Sequence, residues 1–382
     1  MGGGLLQLVA YGAQDVYLTG NPQITFFKVV YRRHTNFSME SIEQTFNGTA
    51  DFSRRVTCQI SRNGDLIHRM YLQATVTGAT WAANSYAGLA LIKSVELEIG
   101  GQRIDKQYGD WMYIWNELSL PYGKRAGFKT MVGADAVTTT TTTLYIPLEF
   151  WFCRNPGLAL PLIALQYHEV KVNIEFESAL NAAITAGTMG TTSLWVDYIF
   201  LDTDERRRFA QLSHEYLIEQ VQFTGEETAT TGANKFKLNF NHPVKELVWV
   251  LQSADAKFGV YTDDGDDADF ARDGANLCST AKLQLNGHDR FAERAGKYFN
   301  LVQPYQHHEN VPSNAGVNVY SFALKPEEHQ PSGTLNMSRI DSAVLNVTGS
   351  SAGDSPTKCR IYAVNYNVLR VMSGMGGLAY SN

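Results

Sequence analysis

The segment Val170-Lys171-Val172-Asn173-Ile174-Glu175-Phe176 alternates strictly between apolar and polar side chains. Because successive side chains of an extended chain point to opposite faces, the four apolar ones would share one face and the three polar ones the other. This pattern predicts a β-strand of an antiparallel sheet, with one face on a core and one in solvent.

The same alternation recurs along the whole chain, at residues 95–99, 236–240 and 362–368. In the last of these segments, large apolar residues alternate with Ala363, Asn365 and Asn367, which predicts another half-buried strand. Turn-forming pairs lie between such segments, at Asn63-Gly64, Gly100-Gly101, Pro156-Gly157 and Asn286-Gly287. Many short strands with little helix predict a β-sandwich or a jelly roll.

Two predicted helices interrupt the strands, and each follows a glycine turn. After Gly100-Gly101, Asp110 is the expected N-cap of a helix whose apolar stripe is Trp111, Ile114, Trp115 and Leu118. After Asn286-Gly287, Pro304 is expected to end a helix whose stripe is Phe291, Ala295, Tyr298, Phe299 and Val302.

The order of strand, turn and helix therefore occurs twice, at a nearly constant spacing. Three pairs of landmarks, 183, 179 and 176 residues apart, are Pro121-Tyr122 with Pro304-Tyr305, Leu72-Gln73 with Leu251-Gln252, and Glu43-Gln44 with Glu219-Gln220. This spacing predicts a tandem duplication, with a period far longer than that of a solenoid repeat. The expected parts are an N-terminal segment (1–24), a first jelly roll (25–205), a charged linker (206–216) and a second jelly roll with its tail (217–382).

Composition limits the function classes. Charged residues make up only 18% of the 382 residues and aromatic residues 12%, which suits a protein whose surface is partly buried against neighbours. The net charge of -6 argues against direct binding of nucleic acid, which favours a basic surface. The four cysteines form no CxxC pair, so free thiols are expected. No stretch reaches the roughly 18 apolar residues of a membrane span.

Catalytic and cofactor-binding patterns are nearly missing from the sequence. Residues 374–379 fit GxGxxA, but no helix can follow there, so a flexible glycine tail is the better interpretation. His168-Glu169 and His214-Glu215 are adjacent on strands and would point apart. His307-His308-Glu309 suits a polar loop, and the acidic run between Asp263 and Asp273 suits a solvated one. We therefore expect no enzyme activity, no cofactor and no metal.

Two sets of residues are the candidate sites. Four asparagines lie in glycosylation sequons: Asn36, Asn47, Asn336 and Asn346. Short sequons also arise by chance, and no secretory signal is evident. Four apolar residues near the N-terminus are too few for a core element, so we expect them to contact a partner protein or an inner surface: Leu5, Leu6, Leu8 and Val9.

Long blocks of the sequence resemble the major capsid proteins of nucleocytoplasmic large DNA viruses, most closely those of algal and protist viruses. The opening block is YGAQDVYLTGNPQITFFKVVYRRHTNF (residues 11–37), and the closing block is NYNVLRVMSGMGGLAYSN (residues 365–382). Internal blocks that fit are LIKSVELEIGGQRIDKQYGDWMYIWNEL, YIPLEFWFCRNPGLALPLIAL and AKLQLNGHDRFAERAGKYFNLVQPY. The resemblance covers nearly the whole chain.

This resemblance implies an all-β double jelly roll: two consecutive eight-stranded antiparallel jelly rolls with short helices in the loops. It implies a structural subunit of an icosahedral virion, made and assembled in the host cytoplasm, whose homotrimers form pseudo-hexagonal capsomers. The N-terminal segment would face the capsid interior, near minor capsid proteins and the inner membrane surface.

Three other interpretations stay open at this point. A non-viral jelly-roll lectin would share the strands and aromatic residues but would not explain the terminal blocks. An isomerase or hydrolase on a cupin-like sandwich would need a convergent His/Glu cluster, which the sequence does not offer. A minor capsid or penton component usually needs one jelly roll for fivefold symmetry, whereas two per chain suit sixfold-like sites.

Overall fold

The computed structural model describes residues 2–81, 85–134, 137–178, 184, 187–253, 271–272, 275–350 and 355–381. The chain divides into two compact units, Met1–Asn36 and Phe37–Asn382. The first unit carries two short helices, α1 (Gly3–Val9) and α2 (Asp15–Thr19). Every side chain of residues 2–36 is exposed or partly exposed, so this segment forms no core of its own.

The second unit begins with nine strands, which form the first jelly roll. They are β1 (Phe37–Gln44), β2 (Arg55–Gln59), β3 (Leu66–Trp81), β4 (Ile92–Ile99), β5 (Gln102–Tyr108), β6 (Val137–Pro147), β7 (Leu160–Pro161), β8 (Val170–Phe176) and β9 (Thr188–Leu201). Sheet A1 has the order β1-β9-β3-β6, with β7 also paired to β3, and sheet B1 has the order β2-β8-β4-β5. The connecting helices are α3 (Ala87–Ala90), α4 (Gly109–Ser119), α5 (Tyr122–Val132), α6 (Trp151–Arg154) and a 3-10 turn (Pro156–Leu158).

Helix α7 (Thr203–Gln211) leads to the second jelly roll. Its strands are β10 (His214–Thr228), β11 (Gly232–Leu238), β12 (Pro243–Ser253), β13 (Ala271–Arg272), β14 (Ala275–Asn276), β15 (Cys278–Leu285), β16 (His288–Asp289), β17 (Arg294–Ala295), β18 (Asn318–Ser321), β19 (Leu335–Asn336), β20 (Ala343–Gly349), β21 (Pro356–Met372) and β22 (Met375–Leu378). Sheet A2 has the order β10-β21-β12-β18, and sheet B2 has the order β11-β20-β15-β16. A π-helical turn (Tyr298–Val302) continues into α8 (Gln303–His307), and a 3-10 turn follows later (Met337–Arg339).

The strand orders of the two halves correspond one to one, so the predicted double jelly roll is confirmed. In each half the first strand of the A sheet pairs with the last long strand, which also pairs with the third. In each half the helices that precede Pro121-Tyr122 and Pro304-Tyr305 lie between the B and A sheets in chain order. The acidic run between Asp263 and Asp273 lies outside the described residues.

Strand β8 shows how the alternating pattern works. Its four apolar side chains are buried in the core between sheets A1 and B1, as predicted. Asn173, on the polar face, is buried as well, because it accepts a hydrogen bond from the Thr57 hydroxyl (2.7 Å) and donates one to Glu98 (3.2 Å). A buried amide is tolerated where its hydrogen bonds are made.

Three local predictions are wrong. Asp110 is not an N-cap: α4 begins one residue earlier, and Asp110 is buried inside its first turn. The second helix does not start at Phe291, because residues 294–295 are extended in β17; Pro304 lies in the first turn of α8, where a missing N–H costs little. The glycine segment 374–379 is not a flexible tail, since β22 pairs with β21 and the Gly376 carbonyl lies 2.9 Å from His168 Nδ1.

Sheet A2 is buried on both faces, which the alternating pattern did not predict. On one face, Trp249 and Ile361 belong to the core of the second jelly roll; on the other, Val248 and Tyr362 belong to a core shared with the first. The expected solvent face of β21 is therefore missing: Asn365 and Asn367 are buried, and each donates a hydrogen bond to Gln220 Oε1. The first jelly roll covers the sheet of the second.

Candidate assembly site at the junction of the jelly rolls

Aromatic rings form the apolar part of this junction. Tyr108, at the end of β5, contacts Phe223 of β10, with ring centroids 4.9 Å apart. Phe223 stacks on Tyr362 of β21 (4.8 Å), and Trp111 of α4 packs against Tyr362 from the first jelly roll (5.5 Å). Rings of this size bury a large apolar area and favour offset or edge contacts. They supply the adhesion between the jelly rolls.

Directional hydrogen bonds fix the register of the same contact. The Gln220 side-chain amide donates to the Ile104 carbonyl, and the Val221 N–H donates to Asp105 Oδ1 (3.2 Å). Burial raises the pKa of Asp105 to about 6, although its hydrogen bonds from Val221 and Gln107 oppose the shift. The edge strand β5 of the first jelly roll is thereby held against β10.

Buried charges cross the junction in two places. The Arg360 guanidinium bonds Asp110 of α4 and also Glu226 of β10 (2.6 Å). Arg154 of α6 lies 2.9 Å from Glu219 of β10, whose other oxygen lies 2.8 Å from the fully buried Lys245. Each buried charge has an opposite charge beside it, as the cost of desolvation requires.

His308, the residue that follows α8, forms two further buried charge contacts. Its Nε2 lies 3.1 Å from Glu246 Oε2, and its Nδ1 lies 2.8 Å from Glu327 Oε1. Burial alone would lower the pKa of His308, but the two carboxylates outweigh it and raise the pKa to about 9. Residues 308–309 follow α8 outside any helix or strand, as the predicted polar loop requires, although the His308 side chain is fully buried. Two residues later, the Asn310 N–H donates to the Leu118 carbonyl of α4 (3.0 Å).

The other chemically suggestive residues have structural contacts. His214 Nε2 lies 3.0 Å from the Phe209 carbonyl, and Arg206 bonds Asp65 (2.9 Å). All four cysteines are buried free thiols, and burial raises the pKa of Cys58 to about 11. Among the described residues, no three His, Cys, Asp or Glu side chains lie close enough together to hold a metal ion. No helix in this part of the chain has the length and hydropathy needed to cross a bilayer.

The candidate N-terminal residues all lie on α1. Leu5, Leu6, Leu8 and Val9 are exposed, the last two by 79% and 69%. Further large apolar residues of the same unit are also exposed, among them Tyr17, Phe26, Phe27 and Tyr31. Exposed apolar clusters of this kind usually mark contact surfaces.

The sequon asparagines are scattered over the structure. Asn36 and Asn47 are exposed, whereas Asn346 is half-buried on β20 and donates its amide to Gln284 (3.1 Å). Asn336 is exposed, and its side chain accepts a hydrogen bond from the Ser338 N–H (3.1 Å).

The sequence analysis missed the charged residues of the junction, above all Arg154, Glu219, Lys245 and Arg360. A signal was present: Lys245-Glu246 directly precede the apolar run of β12, and Arg360 directly precedes the apolar residues Ile361–Val364 of β21. Charges inside strands that are otherwise apolar indicate a second buried face.

Comparison with known proteins identifies relatives with this architecture. A family model described as the large eukaryotic DNA virus major capsid protein matches residues 205–377, and one described as the major capsid protein N-terminus matches residues 25–202. The chain is 60% identical to the major capsid protein of Pyramimonas orientalis virus and 49% identical to that of Paramecium bursaria Chlorella virus 1, in both cases over all of each chain.

Solved structures agree with these matches. A quasi-atomic model of the PBCV-1 virus capsid is 46% identical and has a TM-score of 0.82, covering 94% of this chain and 100% of that one. The Faustovirus major capsid protein has a TM-score of 0.76 at 14% identity, covering 95% and 94%, and shares the fold.

Proposed function

The chain belongs to the major capsid protein family of large eukaryotic DNA viruses, and from this premise we propose that three copies close into a pseudo-hexagonal capsomer. Its function is structural: as a capsid protein of the virion it forms the shell, and its relatives are shell proteins without enzyme activity. The trimeric state of the capsomer is our proposal.

The main support for the proposed trimer is the strand order, which occurs twice within one chain. Two jelly rolls with the same topology, joined by a buried junction, present two similar but unequal flanks. Three such chains around a threefold axis offer six near-equivalent sides, a shape that tiles a flat facet. Closed cyclic symmetry satisfies every head-to-tail interface and leaves no open edge.

We further propose that residues 1–24 bind minor capsid proteins or the inner membrane surface during assembly in the host cytoplasm. The exposed Leu5, Leu6, Leu8 and Val9 support this contact, because covering exposed apolar side chains with a partner lowers the free energy. We also propose that the remainder divides into 25–205, 206–216 and 217–382. The four large sheets support this division, because each takes all its strands from one side of α7 only.

For glycosylation of the sequons we propose Asn36, Asn47 and Asn336 before Asn346. The first three are exposed, and attachment needs an accessible side-chain nitrogen. At Asn346 that nitrogen is engaged with Gln284 on a half-buried strand.

The test of the capsomer is the mass of the purified chain in solution. Light scattering at micromolar concentration should give three times the chain mass of 42.5 kDa. A stable, well-folded monomer under these conditions would contradict the proposed trimer. Obligate assemblies bury on the order of 2,000 Å² or more per interface, so they do not dissociate at this concentration.

A further inference from the structure

An aromatic cluster is exposed on the outer face of sheet A1. Tyr71 of β3 stacks on Trp195 of β9, with ring centroids 6.2 Å apart and planes 3° apart, and Tyr145 of β6 lies 6.2 Å from Tyr71 on the other side. Tyr145 is 40% exposed, and the other two rings are partly exposed. We call these three residues the aromatic sheet face.

The corresponding face of the second jelly roll is not exposed. On sheet A2, which has the same strand order, Val248, Val250, Tyr362 and Val364 are buried in the core shared with the first jelly roll. One jelly roll therefore has this face covered within the chain, while the other has it open.

The elements that cover sheet A2 also have counterparts. Within the chain, β5 and α4 of the first jelly roll lie against sheet A2, through contacts such as Trp111 with Tyr362 and Asp105 with Val221. The equivalent elements of the second jelly roll are β16, the π-helical turn and α8, since they occupy the same place between the B and A sheets.

This equivalent surface is apolar and open. Leu301 and Val302 of the π-helical turn are 45% and 39% exposed, and Leu324 is 72% exposed. Leu324 lies beside α8, because its carbonyl is 3.0 Å from His307 Nδ1. We call Leu301, Val302 and Leu324 the helical patch.

We propose that the aromatic sheet face of one copy docks on the helical patch of a second copy of this chain. The contact repeats between chains the one that joins the two jelly rolls within a chain, and it rests on the proposed trimer. Because the two surfaces differ and lie on different jelly rolls, the interface is head-to-tail and closes only in a ring.

Charge favours the same pairing. Glu43 lies opposite Trp195 across the β1–β9 pair, and Asp197 is two residues along β9, so carboxylates border the Trp195 side of the aromatic sheet face. Arg294 and Lys297, both exposed, border the helical patch. Opposite charges at the rim speed docking and disfavour contacts between two identical surfaces.

The experiment places one carboxylate in each surface, as Tyr145→Asp or Leu301→Asp, and measures mass by light scattering. Either change should weaken association roughly thirtyfold or more, the effect of losing a hot spot, and shift the protein to monomer. Tyr122→Asp is the matched control: its ring is 84% exposed, and it lies two residues after Leu120, whose carbonyl accepts a hydrogen bond from Asn310 within the chain, so the trimer should persist.

Mixing the two variants tests the direction of the interface. Each variant retains the surface that the other has lost, so one interface can form per pair, and a 1:1 dimer should appear that neither variant forms alone. If both variants stay trimeric, the docking surfaces are wrong although the capsomer stands; if the unmodified chain is monomeric, the capsomer itself is wrong. Should Leu301→Asp fail to fold by circular dichroism, Leu324→Asp takes its place.

Discussion

Replacing Arg360 with leucine tests whether buried charge holds the two jelly rolls together. The Arg360 guanidinium reaches Asp110 of the first jelly roll and Glu226 of the second, and the side chains of Arg360 and Asp110 are only 8% and 4% exposed. The substitution removes the cation from beside a carboxylate that stays inside the junction. Breaking a buried pair in this way costs about 3–5 kcal/mol of the free energy of unfolding.

The same strand offers a matched control. Lys358 also pairs with Glu226 (3.1 Å), but its side chain is 50% exposed. An exposed ion pair contributes about 0–1 kcal/mol, so Lys358→Leu should cost less than about 1 kcal/mol. Both variants lose one positive charge from β21, so their difference isolates burial.

The double variant Asp110→Leu with Arg360→Leu separates charge from packing. Replacing a buried pair by apolar residues is often close to neutral, so most of the lost stability should return. Urea unfolding followed by tryptophan fluorescence suits the measurement, since Trp111 packs on Tyr362 at this junction. If Arg360→Leu costs no more than Lys358→Leu, or if the double variant is no better than the single one, the reasoning is refuted.

Two further outcomes follow from the structure. Because the pKa of folded His308 is about 9, above its unfolded value of 6.5, its contribution to stability should be complete below pH 6.5 and lost as the pH rises through 9. Melting temperatures measured across this range should fall for the native chain and stay flatter for His308→Gln. Deleting residues 1–12 should leave the melting temperature almost unchanged while impairing particle assembly, whereas a loss of several kcal/mol would place this segment inside a packed core.

Strands were predictable where one face meets the core and the other meets solvent. The alternating segments 170–176 and 95–99 lie in β8 and β4 of sheet B1, and residues 236–238 lie in β11 of sheet B2. In β11 the buried and exposed side chains alternate through Phe236, Lys237 and Leu238. A period of two is sufficient evidence for such strands, because local sequence alone determines which face is apolar.

The duplication was predictable at the level of element order but not of residue register. The matched pairs Leu72-Gln73 and Leu251-Gln252 lie on the equivalent strands β3 and β12, and the Glu-Gln pairs lie on β1 and β10. In the first jelly roll, however, Leu72 and Gln44 share one partner, Leu194, whereas in the second Leu251 pairs with Cys359 and Gln220 with Asn365. The halves correspond as folds, and short identities do not align their residues.

The pairing across the junction could not be predicted, because its second buried face forms only when the two halves pack together. Nothing within residues 362–368 indicates that Asn365 and Asn367 lie inside the protein, since the acceptor that they share is Gln220 on another strand. Asp110 likewise satisfies the local rule for a cap, while its actual partner is 250 residues away in sequence. Long-range pairing overrides the local preference in both cases.

The mixture of rings and buried charges at the junction has a consequence for assembly. Aromatic packing supplies adhesion but specifies orientation weakly, because the hydrophobic effect is non-directional. The hydrogen bonds and ion pairs of Gln220, Arg154 and Arg360 are directional, so they fix the angle between the jelly rolls. In the proposed ring of three chains the same junction would occur three times, and an error in its angle would be repeated at each occurrence. The proposed trimer would therefore need a junction specified by geometry as well as by adhesion, and the directional bonds of the junction meet that need.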